Sequence, residues 1–331
     1  MKQVDDAGLH DGTAYRRKQR EKEEISEMEE KMIELKHVTK SYDKGEKPVV
    51  EDISFSVEQG KIHGLIGPNG SGKTTLIKCI TGILKVDSGE ILMDGKPVFD
   101  NPEVKKHMGY VADNCNFFPK YRVQDMVKFY GGMFEKFDRA EFDKLNELFK
   151  IPLKRKIGHL SKGQKMRTSF MLNMALSPDV LVLDEPTSGL DAIAKADLLD
   201  HIVTKVEYGE IAVIISTHHL YELEKICDTV TMLGETGVKY QGNLDEVKAQ
   251  ISKYQVVFKN GVPEGVLNDR RVISYSNIGS VYTFLWDHVL DEEQEGAEAF
   301  FGGKGADLVE QTEISLEELF IYSNRRRRDH E

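Results

Sequence analysis

The stretch Gly67-Pro-Asn-Gly-Ser-Gly-Lys-Thr74 matches the pattern G-x-x-x-x-G-K-[ST] of a phosphate-binding loop. It follows the short apolar run Ile62–Ile66, typical of a buried strand, and it opens a helical pattern over Thr74–Thr81. Glycines let the backbone turn so that successive N–H groups point at phosphate oxygens, and the helix N-terminus adds partial positive charge. We therefore expect Lys73 to reach β- and γ-phosphates and the Thr74 hydroxyl to ligate Mg²⁺. The alternative is a glycine-rich strand–helix turn with an incidental lysine.

A second apolar run, Val180-Leu-Val-Leu-Asp184-Glu185, ends in two carboxylates. In a parallel sheet such a strand places its terminal charge at the carboxyl edge, beside the loop that follows the first strand. Asp184 is expected to hold Mg²⁺ directly or through water. Glu185 is expected to orient and deprotonate the attacking water, because phosphoryl transfer requires positioning and charge neutralisation. Taken alone, the run also fits an ordinary strand-end cap.

The order of strand and helix patterns predicts the fold class. A third apolar run, Ile211–Ile215, has the length and branching of a strand buried on both faces, as in parallel sheets. Two alternating segments, Ile33–Val38 and Ile53–Val57, are typical of half-buried strands. The alternation of strands and helices predicts an α/β fold with a mainly parallel sheet. Further helical patterns cover Val123–Phe134, Glu141–Phe149, Lys162–Leu176 and Ile193–Val206.

Length and charge narrow the class of protein. The 331 residues are enough for about two domains. Forty-five basic and 56 acidic residues give a net charge of −11, which argues against a dedicated nucleic-acid binder and predicts no nucleic-acid partner. Three cysteines fit a reducing cytosol. No apolar run approaches the roughly 18 residues of a membrane span.

Together with Leu160-Ser161-Lys162-Gly163-Gln164, these motifs resemble those of the nucleotide-binding subunit of an ATP-binding cassette (ABC) transporter, from about Ile33 to Gly242. Asp87-Ser-Gly-Glu-Ile91 resembles the early hairpin of this family, and Ser188-Gly-Leu-Asp191 resembles its D-loop. The resemblance implies a P-loop NTPase fold with a RecA-like, mainly parallel sheet. It also implies an N-terminal antiparallel β subdomain, a helical subdomain over about residues 114–177 and a small C-terminal α/β extension.

The resemblance also implies a set of site residues for ATP and Mg²⁺. Tyr42 would stack on adenine, while Glu185, His218 and Asp113 would form the catalytic group. Ser161, with Gly163 and Gln164, would face the nucleotide of a second subunit. The phosphate-binding residues would be Gly67, Pro68, Asn69, Gly70, Ser71, Gly72, Lys73, Thr74 and Thr75, with Asp191 contacting the partner's loop and with Thr74, Asp113 and Asp184 as metal ligands.

Each assignment has a structural alternative. Tyr42 could be a strand-end aromatic, and His218 a hydrogen-bonded core histidine. Ser161 and Asp191 could simply cap helices.

The chain departs from the family pattern at Asp113, where Gln is usual, and at Lys162, where Gly is usual. Asp113 is still a hard oxygen donor for Mg²⁺, but it brings a negative charge and cannot donate as an amide does. Lys162 adds positive charge near a triphosphate. Met166 and Ala192 are further departures, neither of which removes a group needed for hydrolysis.

Three segments are expected along the chain. Residues 1–31 are a charged extension, predicted as a solvated helix, with a partner-binding arm as the alternative. Residues 32–242 are the ATPase domain. Residues 243–331 are a small α/β domain, with helix starts at Asn243 and Ser315 and strands near Tyr254–Phe258, Arg271–Tyr275 and Val281–Leu285. The four cations Arg325–Arg328 are either a solvated end or a contact to anionic lipid.

The resemblance implies a head-to-tail dimer of this chain, or a pair with a sibling, around two ATP molecules. Without a span of its own, the chain would act on integral membrane permease subunits at the cytoplasmic face of the cell membrane. The short chain resembles bacterial exporter ATPases that move peptides, drugs or lipids. The features that carry this resemblance are Asp113 in place of Gln, Leu160–Gln164 and the small tail that ends in Leu316–Ile321. The alternatives are a soluble non-transport ABC ATPase such as an assembly factor, and a small-molecule kinase that uses the same loop.

Overall fold

The computed structural model describes residues 31–42, 47–115, 118–234, 237–288, 290 and 296–325. The predicted N-terminal helix therefore lies outside the described residues, apart from Lys31, which begins a strand. Arg326–Arg328 of the basic tail also lie outside them. Among the described helices, none has the length and apolar character needed to cross a membrane.

Fourteen strands and ten α-helices are found in the described residues. The strands are β1 (Lys31–Lys40), β2 (Val50–Glu58), β3 (Ile62–Ile66), β4 (Ser88–Met93), β5 (Lys96–Pro97), β6 (Met108–Val111), β7 (Val180–Asp184), β8 (Ala212–Ser216), β9 (Thr229–Gly234), β10 (Gly237–Asn243), β11 (Ile251–Val257), β12 (Val272–Ile278), β13 (Val281–Asp287) and β14 (Leu308–Thr312). The helices are α1 (Lys73–Ile80), α2 (Pro102–Lys105), α3 (Val123–Met133), α4 (Arg139–Phe149), α5 (Lys162–Met174), α6 (Ala192–Glu207), α7 (Leu220–Leu223), α8 (Leu244–Ala249), α9 (Ala297–Gly303) and α10 (Leu316–Arg325).

A six-stranded sheet forms the centre, in the order β10-β9-β3-β8-β7-β6. All neighbours are parallel except β10, which pairs antiparallel with β9. Every residue of β3, β7 and β8 is buried, as the three apolar runs predicted. The predicted α/β fold with a mainly parallel sheet is confirmed, and the carboxyl ends of these strands meet at one edge.

A second, antiparallel sheet has the order β2-β1-β4-β5 and packs against α1. The hairpin expected near Asp87–Ile91 is formed by β4 and β5, with Asp94 and Gly95 in left-handed conformations at its turn. This sheet is the N-terminal antiparallel subdomain that the resemblance implied. The helices α3, α4 and α5 share one core with the central sheet, to which they contribute Val127, Phe142 and Phe170 respectively.

Residues 244–325, here called the C-terminal unit, form a third sheet in the order β12-β13-β11-β14, entirely antiparallel. The predicted strands and both helix starts are present, with the Asn243 side chain accepting from Asp245 N and Ser315 Oγ from Glu318 N. The strand β14 and the helix α9 were not predicted, because glycines and charges dilute their patterns. Trp286, Phe284 and Phe301 fill a separate core in this unit.

Candidate active site

The loop between β3 and α1 is so tight that two of its glycines have no room for a side chain. A Cβ on Gly67 would collide with Ser71 Oγ and with the carbonyl of Leu233. Gly72 has φ +92°, and a Cβ there would lie 2.5 Å from the carbonyl oxygen of Val49. These close approaches explain why the pattern needs glycine, since the backbone itself must form the anion-binding surface.

Lys73 folds back over this loop. Its Nζ donates to the carbonyl oxygens of Gly67 (2.7 Å) and Pro68 (3.1 Å). Burial lowers the pKa of Lys73, although the carboxylates of Glu185 and Asp184 oppose this shift. The ammonium therefore lies in a poorly solvated place where a negatively charged ligand would stabilise it.

A cavity of about 370 Å³ opens beside Lys73. It lies where the carboxyl ends of β3 and β7 meet, which is where open α/β sheets bind ligands. Its volume falls in the range of small-molecule sites. The lining residues are Val49, Asn69, Gly70, Gly72, Lys73, Thr74, Thr75, Asp113, Asp184 and Glu185.

Asp184 ends β7 and is only 3% exposed. Its Oδ1 accepts a hydrogen bond of 2.7 Å from Ser216 Oγ, at the aligned end of the neighbouring β8. Ser216 was missed as a functional residue. The sequence contained a signal for it, because Ser216 directly follows the apolar run Ile211–Ile215 and lies two residues before His218.

Glu185 and His218 contact each other. His218 Nδ1 lies 2.7 Å from Glu185 Oε2, and the His218 imidazole is mostly exposed. Glu185 has φ +52°, a left-handed conformation that is costly for a residue with a side chain. Its backbone N–H donates to Ser216 O at 2.9 Å, which holds the turn at the end of β7. The structure thus brings together the two residues that the sequence placed 33 positions apart.

Tyr42 lies at the side of the same cavity. Its hydroxyl is 3.0 Å from Thr75 Oγ1 in the first turn of α1. The residue is 60% exposed, so that its ring remains open to a ligand while the hydroxyl is held. The geometry fits a flat platform for a base as well as a tethered strand-end aromatic.

The two unusual residues of the motifs form one ion pair. Lys162 Nζ is 2.7 Å from Asp113 Oδ1 and 2.9 Å from Ser188 Oγ. Both charged side chains keep substantial exposure, at 50% for Lys162 and 35% for Asp113. The sequence does not indicate that these two residues pair, because they lie 49 positions apart. Only the approach of the start of α5 to the cavity shows that their charges compensate each other.

Ser161 and Asp191 both cap helices. Ser161 Oγ accepts from Gln164 N, and Gln164 Oε1 accepts from Ser161 N, a capping box at the start of α5. Asp191 Oδ1 accepts from Ala194 N at the start of α6, and this hydrogen bond lowers the pKa of the Asp191 carboxyl. A Cβ on Gly163 would collide with the carbonyl of Gly189, so that the two loops lie against each other.

The predicted site residues therefore form two groups. The phosphate loop, Asp113, Asp184 and Glu185 line one cavity, and His218 and Tyr42 contact residues of its lining. Among the described residues that line this cavity, none belongs to Ser161–Gln164, and Asp191 is not among them either. Ser161 is instead exposed at the surface.

Comparisons with known proteins agree with this arrangement. The family profile described as "ABC transporter" matches residues 50–188. The "ABC transporter ATP-binding protein YtrB" of Bacillus subtilis (strain 168) is 31% identical over 290 residues, which cover 88% of this chain and 97% of that protein. The "Nod factor export ATP-binding protein I" of Burkholderia orbicola (strain AU 1054) is 36% identical over 209 residues, covering 61% of this chain and 68% of that protein.

Solved structures show the same fold. One is described as "Structure of ATP binding subunit of ABC transporter", with a TM-score of 0.61 and 28% identity. It covers 66% of this chain and 92% of the solved chain. The site thus lies on the fold of an ABC cassette. The Bacillus subtilis relative aligns with this chain over nearly its whole length. The chain belongs to the ABC transporter family as an ATP-binding subunit of a transport system, with the ATP-hydrolysing cassette of that family.

Proposed function

We propose that this chain binds Mg-ATP in the cavity beside Lys73 and hydrolyses it as one half of a head-to-tail pair that drives export through separate membrane subunits. The observation that carries the proposal is the cluster at the carboxyl edge of β3, β7 and β8, where Lys73, Asp184 and the Glu185–His218 contact surround one cavity. These side chains supply the cation, the metal-binding carboxylate and the base that phosphoryl transfer needs.

Binding begins with the loop and Lys73. The backbone N–H groups between Gly67 and Thr75 would hold the phosphates, and Lys73 Nζ would exchange the carbonyls of Gly67 and Pro68 for phosphate oxygens. This exchange is favourable because it pairs a partly buried ammonium with a full negative charge. Tyr42 would stack on the adenine with the exposed face of its ring.

Thr74, Asp184 and Asp113 are the residues proposed to hold Mg²⁺. All three line the cavity, and all offer the hard oxygen atoms that this ion prefers. The Ser216 hydroxyl occupies Asp184 Oδ1 and leaves Oδ2 available. The ion would supply charge neutralisation at the phosphates. Asp113 already accepts a hydrogen bond from Lys162 through Oδ1, so its carboxylate would have to contact both Lys162 and the ion.

Glu185 is proposed as the general base. A water attacks the γ-phosphorus and passes a proton to the Glu185 carboxylate. The bond from that phosphorus to the β–γ bridging oxygen breaks, which yields ADP and inorganic phosphate. His218 is proposed to orient Glu185 through the 2.7 Å hydrogen bond and to contact the γ-phosphate.

The pairing of two chains is supported by the position of Ser161. It lies at the exposed N-terminus of α5, outside the described lining of its own cavity. Ser161 Oγ accepts from Gln164 N, but its O–H can still donate to a phosphate at the helix N-terminus, and a second copy arranged head to tail would supply one. Gly163, Gln164 and Asp191 would then lie in the same interface. ATP would join the two chains, and loss of the γ-phosphate would release them.

Membrane subunits are proposed to dock on the helical subdomain, about residues 114–177. Phe118, Tyr121 and Phe129 form an exposed aromatic cluster there, with ring centroids 5.1 and 6.3 Å apart, and Met133 is exposed on the same helix as Phe129. Exposed apolar patches of this kind mark protein interaction sites. This docking would hold the chain at the cytoplasmic face of the cell membrane. Export is supported by the name of the Burkholderia relative, whereas the cargo is proposed only as a peptide, drug or lipid.

The domain division remains part of the proposal: residues 1–31 as an extension, 32–242 as the ATPase domain and 243–331 as a small appended domain. The two larger parts have separate sheets, which supports the boundary near Asn243. They also share buried residues, so we expect them to act as one body.

Light scattering with a non-hydrolysable ATP analogue tests the pairing. The unchanged chain should double in mass when the analogue and Mg²⁺ are added. Ser161→Arg should bind the analogue but stay monomeric, while Ser280→Arg, at the exposed β12–β13 turn, should still pair. A chain that binds the analogue and never pairs would contradict the proposal.

Purification in mild detergent tests the membrane partner. A hydrophobic multi-span protein that co-purifies supports transport. A partner without spans would instead favour a non-transport ATPase such as an assembly factor.

A further inference from the structure

The short helix α7 connects the proposed catalytic histidine to the C-terminal unit. It begins two residues after His218, with His219 as its N-cap. Its two apolar side chains, Leu220 and Leu223, are buried in the same core as Leu316 and Leu319 of α10. The position of the His218 backbone therefore depends on what surrounds α7.

Glu224, directly after α7, joins two separate elements of the C-terminal unit. Its Oε1 accepts a hydrogen bond of 2.7 Å from Lys248 Nζ, on α8. Its Oε2 accepts one of 3.1 Å from the backbone N–H of Leu316, at the start of α10. The Glu224 side chain is only 18% exposed, so both hydrogen bonds lie in a poorly solvated place and are stronger than surface contacts.

On its other side, α7 is connected to the ATPase core. Lys195 Nζ, on α6, is 3.1 Å from Glu222 Oε1. The helix α6 begins at Ala192, directly after Asp191 of the D-loop. The segment that carries His218 is thus held between the D-loop helix and the C-terminal unit.

Within the described part of the chain, the His218 ring has two contacts that hold it. The imidazole is mostly exposed and hydrogen-bonded to Glu185, and it contacts the His219 ring at a tilt of 37°, with 4.1 Å between ring centroids. A hydrogen bond of 2.7 Å to an acceptor on another strand end tolerates only small displacements of the backbone. A displacement of α7 by about 1 Å would misalign this hydrogen bond.

We infer that Glu224 is a positioning residue for hydrolysis, through which the C-terminal unit holds α7 so that His218 keeps its place against Glu185. The inference rests on the proposed role of His218. It gives the C-terminal unit an effect on turnover. Any partner or ligand that moves α8 or α10 would change the rate of hydrolysis without touching the nucleotide.

The experiment compares two ion pairs of the same region. Glu224→Ala removes both hydrogen bonds, and Lys248→Met removes one of them. Lys253→Met is the matched control, because Lys253 pairs with Glu318 of α10 (3.0 Å) at similar burial, with no described hydrogen bond to α7. For each variant we would measure the kcat of ATP hydrolysis, the Kd for ATP and the melting temperature.

We expect Glu224→Ala to lower kcat about tenfold and Lys248→Met about threefold, with the Kd for ATP unchanged. The kcat of Lys253→Met should stay within about twofold of that of the unchanged chain, even if its melting temperature falls as much as that of Lys248→Met. If Glu224→Ala is too unstable to study, Lys248→Met carries the same comparison. An unchanged kcat in the Glu224 and Lys248 variants, or an equal loss in the control, would overturn the inference.

A double-mutant cycle with His218→Ala separates this inference from the proposed function. If Glu224 acts through His218, then Glu224→Ala should cause no further loss in the His218→Ala background. An independent loss there would overturn the positioning role. Full activity of His218→Ala alone would instead refute the proposed role of His218. A low activity of His218→Ala beside a normal Glu224→Ala would refute only the inference.

Discussion

The carboxyl edge of the central sheet and the C-terminal unit bury polar groups in different ways. At the edge, burial lowers the pKa of Lys73, and Glu185 adopts a strained left-handed conformation. In the C-terminal unit, Arg271 pairs with Asp269 at 2.9 Å and stacks on Trp286 at 4.4 Å from its ring centroid. This charge is paired, and among the described residues of the unit only glycines have a positive φ.

From this difference we expect mutations in the two regions to affect different properties: turnover at the sheet edge and stability in the C-terminal unit. Strain and unpaired charge gather where a protein does chemistry, and the surrounding structure supports their cost. Changes at the sheet edge should therefore abolish turnover while the chain stays folded. Changes in the aromatic core of the C-terminal unit should lower stability, with only an indirect effect on nucleotide binding.

The largest effect is expected from Glu185→Gln. The amide keeps the shape of the side chain but cannot accept a proton, so steady-state hydrolysis should fall by about 10²- to 10⁴-fold. Binding of ATP should persist, and the pair of chains should become trapped. The measurement is phosphate release, with scattering for the pair. Glu246→Gln, on the exposed side of α8, is the control and should hydrolyse normally. Unchanged hydrolysis by Glu185→Gln would remove Glu185 as the base.

Trp286→Ala should chiefly affect stability. Trp286 is fully buried against Phe300 and Phe301, with ring centroids 5.1 and 5.4 Å away. Its truncation should cost about 3–5 kcal/mol in the free energy of unfolding, measured by circular dichroism in denaturant. The Kd for ATP should change little at temperatures where the variant is folded. Tyr208→Ala, which truncates an exposed aromatic residue, should cost little. A large loss of ATP affinity in folded Trp286→Ala would break the comparison.

The smallest effect is expected at the Asp113–Lys162 pair. Gln keeps a side-chain oxygen for Mg²⁺ and loses only the ion pair, which contributes at most about 1 kcal/mol between partly exposed side chains, so Asp113→Gln should change basal hydrolysis by no more than about fivefold. Lys162→Gln breaks the same pair from the other side and should have a similar effect. Phosphate release at saturating ATP measures both. A complete loss in Asp113→Gln alone would show that hydrolysis needs the carboxylate.

The sequence predicted most of the fold because its signals are local. Apolar runs such as Val180–Leu183 indicate strands buried on both faces, and the structure places Val180–Asp184 in the middle of the sheet. The phosphate loop was also predictable, since its pattern lies within eight residues, but the close approach of Leu233 to Gly67 and of Val49 to Gly72 appears only in the fold. The strand β14 and the helix α9 were missed, because glycines and charges dilute their patterns and the segments they pair or pack with are distant in the chain.

The composition of the site was predictable, but its contacts were not. The motifs placed Lys73 at the start of a helix and placed Asp184, Glu185 and His218 at the ends of strands. The hydroxyl of Ser216 on Asp184 and the approach of Lys162 to Asp113 depend on how strands and helices lie side by side. A side chain at a strand end has no preferred partner until the sheet is assembled.

The amino-acid sequence alone encodes the strand–loop–helix unit that can hold phosphates, and it places Asp184, Glu185 and His218 after apolar strands. Local backbone geometry and apolar burial are encoded within short segments. The tertiary structure alone shows that Asp113 and Lys162 compensate each other's charge. It also shows that Glu224 connects the C-terminal unit to the helix that follows His218. Those contacts join residues separated by 49 and by 24 or more positions, so packing alone brings their charges within hydrogen-bond distance.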